Sequence, residues 1–340
     1  MLPAAVADLV RHGHEVLVQA GAGSASGYSD VDYRQAGGKI VADAVTLYAE
    51  GQMIVKVKEP VPAEYGLLKS EQVLFSFLHL AANSELSRVL LDRGLAAVAF
   101  ETIQVDATLP VLAPMSRIAG RLAVHIGATL LHSHAGGRGV LLGGVAGADR
   151  GHVVILGAGT VGRNAALLAA RLGARVTVFD QNPQALESLH ASADNITALP
   201  AFADLIAQAV YDADVLIGAV LVPGARAPRL VSAKMVKQMR PGSVIVDTSV
   251  DQGGCVETIR PTDYDQPTYL VDGVVHFGVT NMPGAVPRSA SQALSGVLLP
   301  FVLRAAGQGG LSDPVLMSGL NIVKGKVVHP AVAAAVGSRA

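Results

Sequence analysis

The stretch from His152 to Asp180 constrains the fold more than any other part of this sequence. It reads HVVILGAGTVGRNAALLAARLGARVTVFD. An apolar run predicts a buried strand, three glycines follow in the spacing GxGxxG, a segment with helical periodicity comes next, and a second apolar run ends in Asp180. Strand, glycine turn, helix and strand in this order are typical of a parallel sheet that is covered by helices.

The same stretch predicts a dinucleotide site. In this motif one glycine makes the tight turn, one lets the backbone approach a pyrophosphate, and one lets helix and strand pack closely; here these are Gly157, Gly159 and Gly162. The N-terminus of the helix offers N–H groups and a positive dipole end to the phosphates. The alternative is a glycine turn that only packs.

Asp180 indicates which dinucleotide binds. It lies 18 residues past Gly162, at the end of the second strand. A carboxylate there accepts hydrogen bonds from a ribose 2′-hydroxyl and repels a 2′-phosphate, and residues 181–183 supply no arginine that would reverse this preference. We therefore expect NAD as the cofactor, and not NADP.

The rest of the chain also alternates between strand-like and helix-like segments, which predicts an α/β fold. The chain has 340 residues, enough for two domains, and a glycine-rich segment over residues 136–151 interrupts the pattern. We expect an NAD-binding domain over residues 116–287, inserted into a discontinuous catalytic domain formed by residues 1–115 and 288–340.

Composition argues against several classes of partner. There are 26 Lys and Arg residues against 27 Asp and Glu, a net charge of -1, so no basic field favours nucleic acid or an anionic membrane. No apolar run is long enough for a membrane span, and the amphipathic start lacks a basic signal-peptide region. The single cysteine, Cys255, excludes internal disulfides. We expect a cytoplasmic protein.

Two lysines follow the apolar residues Met53 and Ile54, in VKVKEP. The run otherwise reads as a buried strand, so we expect Lys56 and Lys58 to point to the same face. One interpretation is an edge strand that lysines protect from aggregation. The other is an anion site at the carboxyl end of a strand, just before Pro60.

Other candidate side chains also stand where predicted strands end. His79 follows the run VLFSFL, at the edge where open α/β sheets bind ligands, although an isolated histidine is commonly structural. In SVIVDTSVDQGG, either Asp247 or Asp251 could simply cap or pair locally. Asp251 is our functional choice, because flanking glycines let a ligand come close.

Two apolar loops follow strands of the nucleotide-binding block and could line a nicotinamide pocket. They are IGAVLVPG, which contains Val220 and Leu221, and NMPGAVP, which begins with Asn281 and Met282. The pairs HSH and HGH lack a clear third ligand, so we expect no metal site.

Seven motifs together resemble the L-alanine dehydrogenases: VKVKEP, FSFLHLAA, PMSRIAGRLA, GGRGVLLGGV, LIGAVLVPG, VDQGGC and NMPGAVP. Their order and spacing match that family over essentially the whole chain. The resemblance implies two Rossmann-like, doubly wound domains with a cleft between them. It also implies a cytoplasmic homo-hexamer that converts L-alanine reversibly to pyruvate and ammonia with NAD.

The resemblance also assigns site residues. The family's substrate lysine matches Lys58, its catalytic histidine His79 and its catalytic aspartate Asp251, while Lys56 has no catalytic counterpart and is expected to add positive field. The expected cofactor contacts are Ser116, Gly157, Gly159, Thr160, Val161, Gly162, Asp180, Val220, Leu221, Asn281 and Met282.

One departure from the family produces alternative hypotheses. The family opens with a strand and loop that carry a carboxylate-binding arginine, and this sequence lacks a match to it, since Arg11 falls within a predicted helix. The alternatives are a catalytically impaired, NAD-binding paralogue and a transhydrogenase-like NAD(H)-binding domain. The joint presence of Lys58, His79 and Asp251 argues against the second.

Overall fold

A computed structural model describes residues 1–106, 108–222, 226–307 and 309–337. The chain divides into two compact units. Within the described residues, the first unit comprises 1–115 and the segment that starts at 284, and the second comprises 116–222 and 226–283.

The α-helices have bounds that mostly match the amphipathic segments of the sequence. They are α1 (Pro3–Arg11), α2 (Asp30–Gln35), α3 (Ala44–Glu50), α4 (Ser84–Arg93), α5 (Ala113–Leu130), α6 (Thr160–Arg171), α7 (Pro183–His190), α8 (Ala203–Asp212), α9 (Ala233–Gln238), α10 (Pro287–Ala306), α11 (Pro314–Gly319) and α12 (Pro330–Gly337). No helix in the described ranges is long and apolar enough to cross a membrane.

The strands are short, and those in the centres of the two larger sheets are the most buried. They are β1 (Leu17–Gln19), β2 (Lys39–Val41), β3 (Met53–Val55), β4 (Val73–Ser76), β5 (Ala96–Ala99), β6 (His152–Leu156), β7 (Arg175–Asp180), β8 (Ile196–Pro200), β9 (Val215–Gly218), β10 (Val244–Asp247), β11 (Thr268–Val271), β12 (Val274–Phe277), β13 (Leu320–Val323) and β14 (Lys326–Val327).

The second unit contains a seven-stranded sheet in the order β11-β12-β10-β9-β6-β7-β8. All neighbours are parallel except β11, which runs antiparallel to β12. From β6 the chain moves outward through β7 to β8 and then returns to the other side of β6 with β9. This reversal between β6 and β9 is the topological switch point, where doubly wound sheets bind ligands.

Small residues let helices lie close to this sheet and to each other. Ala165, Ala166 and Ala169 of α6 are fully buried in the core that covers β6 and β7. A Cβ added at Gly120 of α5 would lie 2.2 Å from the carbonyl oxygen of Val161, so only glycine permits α5 to pack here against the start of α6.

The first unit contains a five-stranded sheet in the order β14-β13-β5-β4-β3, and a separate parallel pair, β1 and β2. Strands β3, β4 and β5 are parallel, whereas β13 is antiparallel to β5. Helix α4 covers the sheet with Leu86 and Leu90, which are fully buried. Asn83 caps this helix, since its side-chain oxygen accepts the N–H of Leu86 at 3.0 Å.

The structure corrects one detail of the sequence interpretation. Strand β3 ends at Val55, so Lys56 and Lys58 both follow the strand instead of sharing one of its faces. Strand β3 is nevertheless the edge strand of its sheet, as the first interpretation expects, and the two lysines belong to the loop that leads to Pro60.

Candidate active site

The glycine turn after β6 has the geometry of a dinucleotide cradle. Gly157 has a φ of 106°, and its N–H donates to the carbonyl of Phe179 at 2.7 Å. A Cβ at Gly162 would lie 1.7 Å from the carbonyl oxygen of Gly157, which makes that glycine a packing requirement. At Gly159, in contrast, an added Cβ would meet no atom within 4 Å. The exposed backbone of Gly159 can therefore be approached closely by a phosphate.

Helix α6 begins directly after Gly159, with Thr160 and Val161 in its first turn. The first N–H groups of a helix have no partner within the helix, and they carry the positive end of its dipole. Because Thr160 is exposed, this end of the helix is accessible to an anion. The arrangement fits the pyrophosphate of NAD.

Asp180 ties the end of β7 to the glycine turn. Its Oδ2 accepts the N–H of Ala158 at 2.5 Å, and its Oδ1 accepts the N–H of Asn182 at 2.8 Å. Each carboxylate oxygen retains a second lone pair that can accept a further hydrogen bond. The half-buried side chain is thus oriented by the backbone while it keeps capacity for ribose hydroxyls, which fits NAD.

The loop after β9 follows the other strand of the switch point. The carbonyl of Val220 accepts the hydroxyl of Ser249 at 2.7 Å, and the carbonyl of Gly218 accepts that of Thr248 at 2.7 Å. Leu221 is exposed. Pro223 and Gly224, which belong to the same predicted loop, lie outside the described residues.

Asp247 and Asp251 have different environments. Asp247 is fully buried, and its carboxylate accepts the N–H groups of Ser249, Cys255 and Val256 at 2.8, 2.8 and 3.2 Å. Burial raises the pKa of Asp247 despite these hydrogen bonds. This carboxylate closes the turn after β10, and so has a structural role.

Asp251 is only partly buried and connects two loops of the second unit. Its Oδ2 accepts the N–H of Asn281 at 3.3 Å. Asn281 has a φ of 55°, in the left-handed region, and Met282 beyond it is buried. Asp251 therefore contacts the loop that the sequence predicts for the nicotinamide pocket.

Two further candidate residues of the second unit are buried. Cys255 is buried, and its pKa is raised by burial and then by the charge of Asp247, so its thiol is not activated. Ser116, in the first turns of α5, is 9% exposed.

In the first unit, Lys58 and His79 follow adjacent parallel strands. Each stands three residues past the end of its strand, β3 or β4. Backbone hydrogen bonds continue beyond the strands, from Lys56 N–H to Phe75 at 3.2 Å and from Phe77 N–H to Val57 at 3.1 Å. Both candidate residues therefore lie at the carboxyl edge of the same sheet. The ammonium group of Lys58 lies 3.5 Å from the carboxylate of Glu59.

His79 is held in an unusual backbone conformation. Its φ is 48°, and its N–H donates to the carboxylate of Glu101 at 2.7 Å. Its ring lies nearly parallel to that of Phe77, with 6.1 Å between the ring centroids. Its Nδ1 is buried and has no hydrogen-bond partner among the described residues. A buried polar atom without a partner is rare and points to a functional group.

Glu101 is a site residue that our reading of the sequence missed. It follows β5, the third parallel strand of the same sheet, and is 5% exposed. Its carboxylate also accepts the N–H of Leu78 at 3.2 Å. The available signal was an acidic residue directly after the apolar run AAVAF, just as His79 directly follows the apolar run VLFSFL.

Lys56 differs from the expectation that it adds positive field. Its ammonium group pairs with the carboxylate of Glu64, which neutralises its charge locally.

The histidines of HSH, His132 and His134, lie with their ring centroids 5.5 Å apart. In the part of the chain that the structure describes, no group of three or more His, Cys, Asp or Glu side chains could hold a metal ion.

Two family models together match nearly the entire chain. The alanine dehydrogenase/PNT N-terminal domain matches residues 1–119, and the alanine dehydrogenase/PNT C-terminal domain matches residues 123–330. An alanine dehydrogenase of Bacillus subtilis is 48% identical over 343 residues, which cover 99% of this chain and 90% of that protein.

Solved structures of the same family also match this chain. An L-alanine dehydrogenase structure matches with a TM-score of 0.90 and 51% identity, covering 99% of this chain and 95% of that chain. A transhydrogenase from Sinorhizobium meliloti matches with a TM-score of 0.81 but only 26% identity, covering 96% of this chain and 94% of that chain. The transhydrogenase alternative is therefore not favoured.

Proposed function

Because this chain belongs to the alanine dehydrogenase/PNT family, we infer that it is an NAD-dependent L-alanine dehydrogenase. It catalyses the reversible oxidative deamination of L-alanine to pyruvate and ammonia. The observation that carries the assignment of its catalytic residues is the position of Lys58 and His79, at the ends of adjacent parallel strands in the first unit.

The second unit binds the cofactor. When bound, NAD⁺ supplies the hydride acceptor for the oxidation. The open backbone at Gly159 and the N-terminus of α6, with Thr160 and Val161, bind the pyrophosphate, and Asp180 binds ribose hydroxyls. The remaining proposed contacts are Ser116, Gly157, Gly162, Val220, Leu221, Asn281 and Met282.

Lys58 binds the substrate in this proposal. Its ammonium group attracts the carboxylate of alanine or pyruvate, and donates a hydrogen bond to the oxygen that develops during the reaction. Glu59, whose carboxylate lies 3.5 Å away, limits how strongly Lys58 attracts other anions.

His79 transfers protons. Once alanine has lost its hydride, water adds to the resulting imine, and ammonia leaves the carbinolamine. Both steps need a group that can accept and donate protons, a role that imidazole side chains commonly fill. The Nδ1 of His79 has no hydrogen-bond partner among the described residues. Asp251 orients the amine or the attacking water.

The domain limits and the assembly are also part of the proposal. The catalytic domain comprises residues 1–115 and 288–340, the NAD-binding domain residues 116–287, and the enzyme is a cytoplasmic homo-hexamer. The support is the resemblance of the motifs to the family. Light scattering coupled to size-exclusion chromatography measures the assembly, and a stable monomer would contradict it.

Two assays, one for each direction of the reaction, test the function. We expect NADH formation from NAD⁺ and L-alanine, and NADH consumption with pyruvate and ammonia, both followed by absorbance. The variant His79→Ala should bind NADH as the wild type does while turnover falls by about 10² to 10⁴. NADH binding by the wild type without any turnover would support the impaired paralogue instead.

A further inference from the structure

Lys56, the first lysine of VKVKEP, has no role in the proposed chemistry, yet it is held firmly. Its ammonium group pairs with Oε2 of Glu64, which lies in the short 3₁₀ helix Pro62–Leu67. The two side chains are 25% and 16% exposed. Solvent therefore screens this ion pair less than it screens a pair on the open surface.

The same carboxylate oxygen binds a second group. Oε2 of Glu64 also accepts the backbone N–H of Val61 at 2.8 Å. One carboxylate thus connects the first residue of the segment 56–61 with its last residue. Lys58 lies inside the closed loop that results, between Val57 and Glu59.

The opposite side of the loop is held by the sheet. The N–H of Lys56 donates to Phe75 at 3.2 Å, and the carbonyl of Val57 accepts the N–H of Phe77 at 3.1 Å and the hydroxyl of Ser76 at 3.4 Å. The backbone on the N-terminal side of Lys58 is therefore fixed to the strand that leads to His79.

A third titratable group faces the carboxylate. Tyr48 of α3 is 2% exposed, and its pKa is raised by burial first and then by the nearby charge of Glu64. The tyrosine stays neutral, so the charges of Lys56 and Glu64 balance each other. A balanced, partly buried pair contributes little net field at Lys58, and this favours a mechanical role over an electrostatic one.

We propose that Lys56 and Glu64 are positioning residues that clamp the loop 56–61 and thereby place the Lys58 ammonium for the carboxylate of a small 2-oxo or 2-amino acid. This inference rests on the proposed role of Lys58. The clamp restricts the backbone of Lys58 from both sides. The loop is therefore already ordered in the folded protein and loses little conformational entropy when the substrate binds.

Steady-state kinetics of the full-length enzyme test the clamp. In Lys56→Met and in Glu64→Gln, we expect KM for pyruvate to rise about tenfold, because a misplaced lysine loses substrate contact. The dissociation constant of NADH should stay within about twofold, since the cofactor residues lie in the second unit. Lys56→Arg keeps the charge and the reach, and should restore a KM near that of the wild type.

Two comparisons separate the clamp from other causes. Arg304→Met breaks an ion pair of the same unit, between Arg304 and Asp313 at 2.9 Å, and should leave KM for pyruvate unchanged. Lys58→Met tests the proposed function itself, because wild-type activity in that variant would remove Lys58 from the mechanism.

Suppose that Lys58→Met loses activity, so that the proposed role of Lys58 holds. The clamp is then overturned if every clamp variant that folds, Lys56→Met or Glu64→Gln, keeps a KM for pyruvate within about twofold of the wild-type value. A lower melting temperature without a change in that KM also overturns it, because it shows a purely structural pair. An equal rise of KM for pyruvate and for NADH does the same.

Discussion

The backbone N–H of His79 donates to the carboxylate of Glu101 at 2.7 Å, and this bond holds the histidine at a φ of 48°. A residue other than glycine pays a conformational cost in this region. The buried carboxylate offsets that cost by accepting the N–H of Leu78 as well, at 3.2 Å. Glu101 thus determines where the imidazole of His79 lies without being adjacent to it in the sequence.

We expect Glu101→Ala to lower kcat about tenfold to a hundredfold, because His79 loses its backbone restraint. The loss of a charged acceptor for two buried N–H groups should also destabilise the first unit by about 1–3 kcal/mol. Stopped-flow turnover and urea unfolding measure the two effects, with NADH affinity unchanged. Glu71→Gln, an exposed glutamate of the same unit, is the control. Unaltered kcat in a folded Glu101→Ala enzyme would show that His79 does not need this restraint.

Two glycines of the cofactor turn should respond differently to alanine. Gly162→Ala places a Cβ 1.7 Å from the carbonyl of Gly157 and should destabilise the second unit by about 1–3 kcal/mol or more. Gly159→Ala meets no protein atom within 4 Å and should fold normally. It should nevertheless weaken NADH binding about tenfold, because the methyl group occupies the space that a phosphate approaches.

Thermal melting and NADH fluorescence titration distinguish these two glycine variants. Gly296→Ala, inside α10 with no atom within 4 Å of the added Cβ, serves as the control. It should stabilise the protein by about 0.5–1 kcal/mol and leave NADH binding unchanged. Tight NADH binding by Gly159→Ala would argue against a pyrophosphate at this turn.

Replacing Asp180 should change the choice of cofactor. In Asp180→Ser the acceptor for the ribose hydroxyls loses its charge, and a hydrogen bond to a charged group contributes about 1.5–3 kcal/mol. We expect KM for NAD⁺ to rise about tenfold or more, while activity with NADP⁺ increases from its initial level because the repulsion of the 2′-phosphate is gone. Alanine oxidation with each cofactor at several concentrations measures this. A variant that keeps the wild-type KM for NAD⁺ would remove Asp180 from the site.

The lowered pKa of His152 predicts how the stability of the protein depends on pH. Its Nε2 lies 2.8 Å from the hydroxyl of Thr177, and its pKa is lowered by burial first and then by the charge of Arg175, against the opposing effect of a hydrogen bond to Asp212. Because the folded pKa lies below the ordinary value of about 6.5, the unfolded chain takes up its proton first as the pH falls. His152 therefore contributes its full stabilisation above about pH 6.5, and this contribution falls as the pH drops from there to the folded pKa.

Urea unfolding between pH 8 and pH 5.5 checks the sign. The free energy of unfolding of His152→Gln should depend less steeply on pH than that of the wild type, by up to about 1.4 kcal/mol per pH unit in the acidic range. The flattening should be partial, because burial lowers the pKa of His276 in the same direction. A steeper dependence in the variant would mean that His152 is charged in the folded protein.

The sequence alone determined the local architecture of the cofactor turn. The spacing of Gly157, Gly159 and Gly162 between two apolar runs specifies a strand, a tight turn and a helix, because these features depend on residues that are neighbours in the chain. The order of the motifs likewise identified the family, and the positions of Lys58 and His79 after apolar runs identified strand ends. These predictions concern backbone conformation and periodicity, which act over short distances along the chain.

Only the tertiary structure decided which groups contact each other. It paired Lys56 with Glu64, gave the N–H of His79 to Glu101, and separated the buried Asp247 from the more accessible Asp251. The two aspartates are four residues apart in one short motif, and the local pattern offers only the glycines after Asp251 to distinguish them. Strand order and burial distinguish them, because the strands that bury Asp247 and the N–H of Asn281 that Asp251 accepts come from segments distant in sequence.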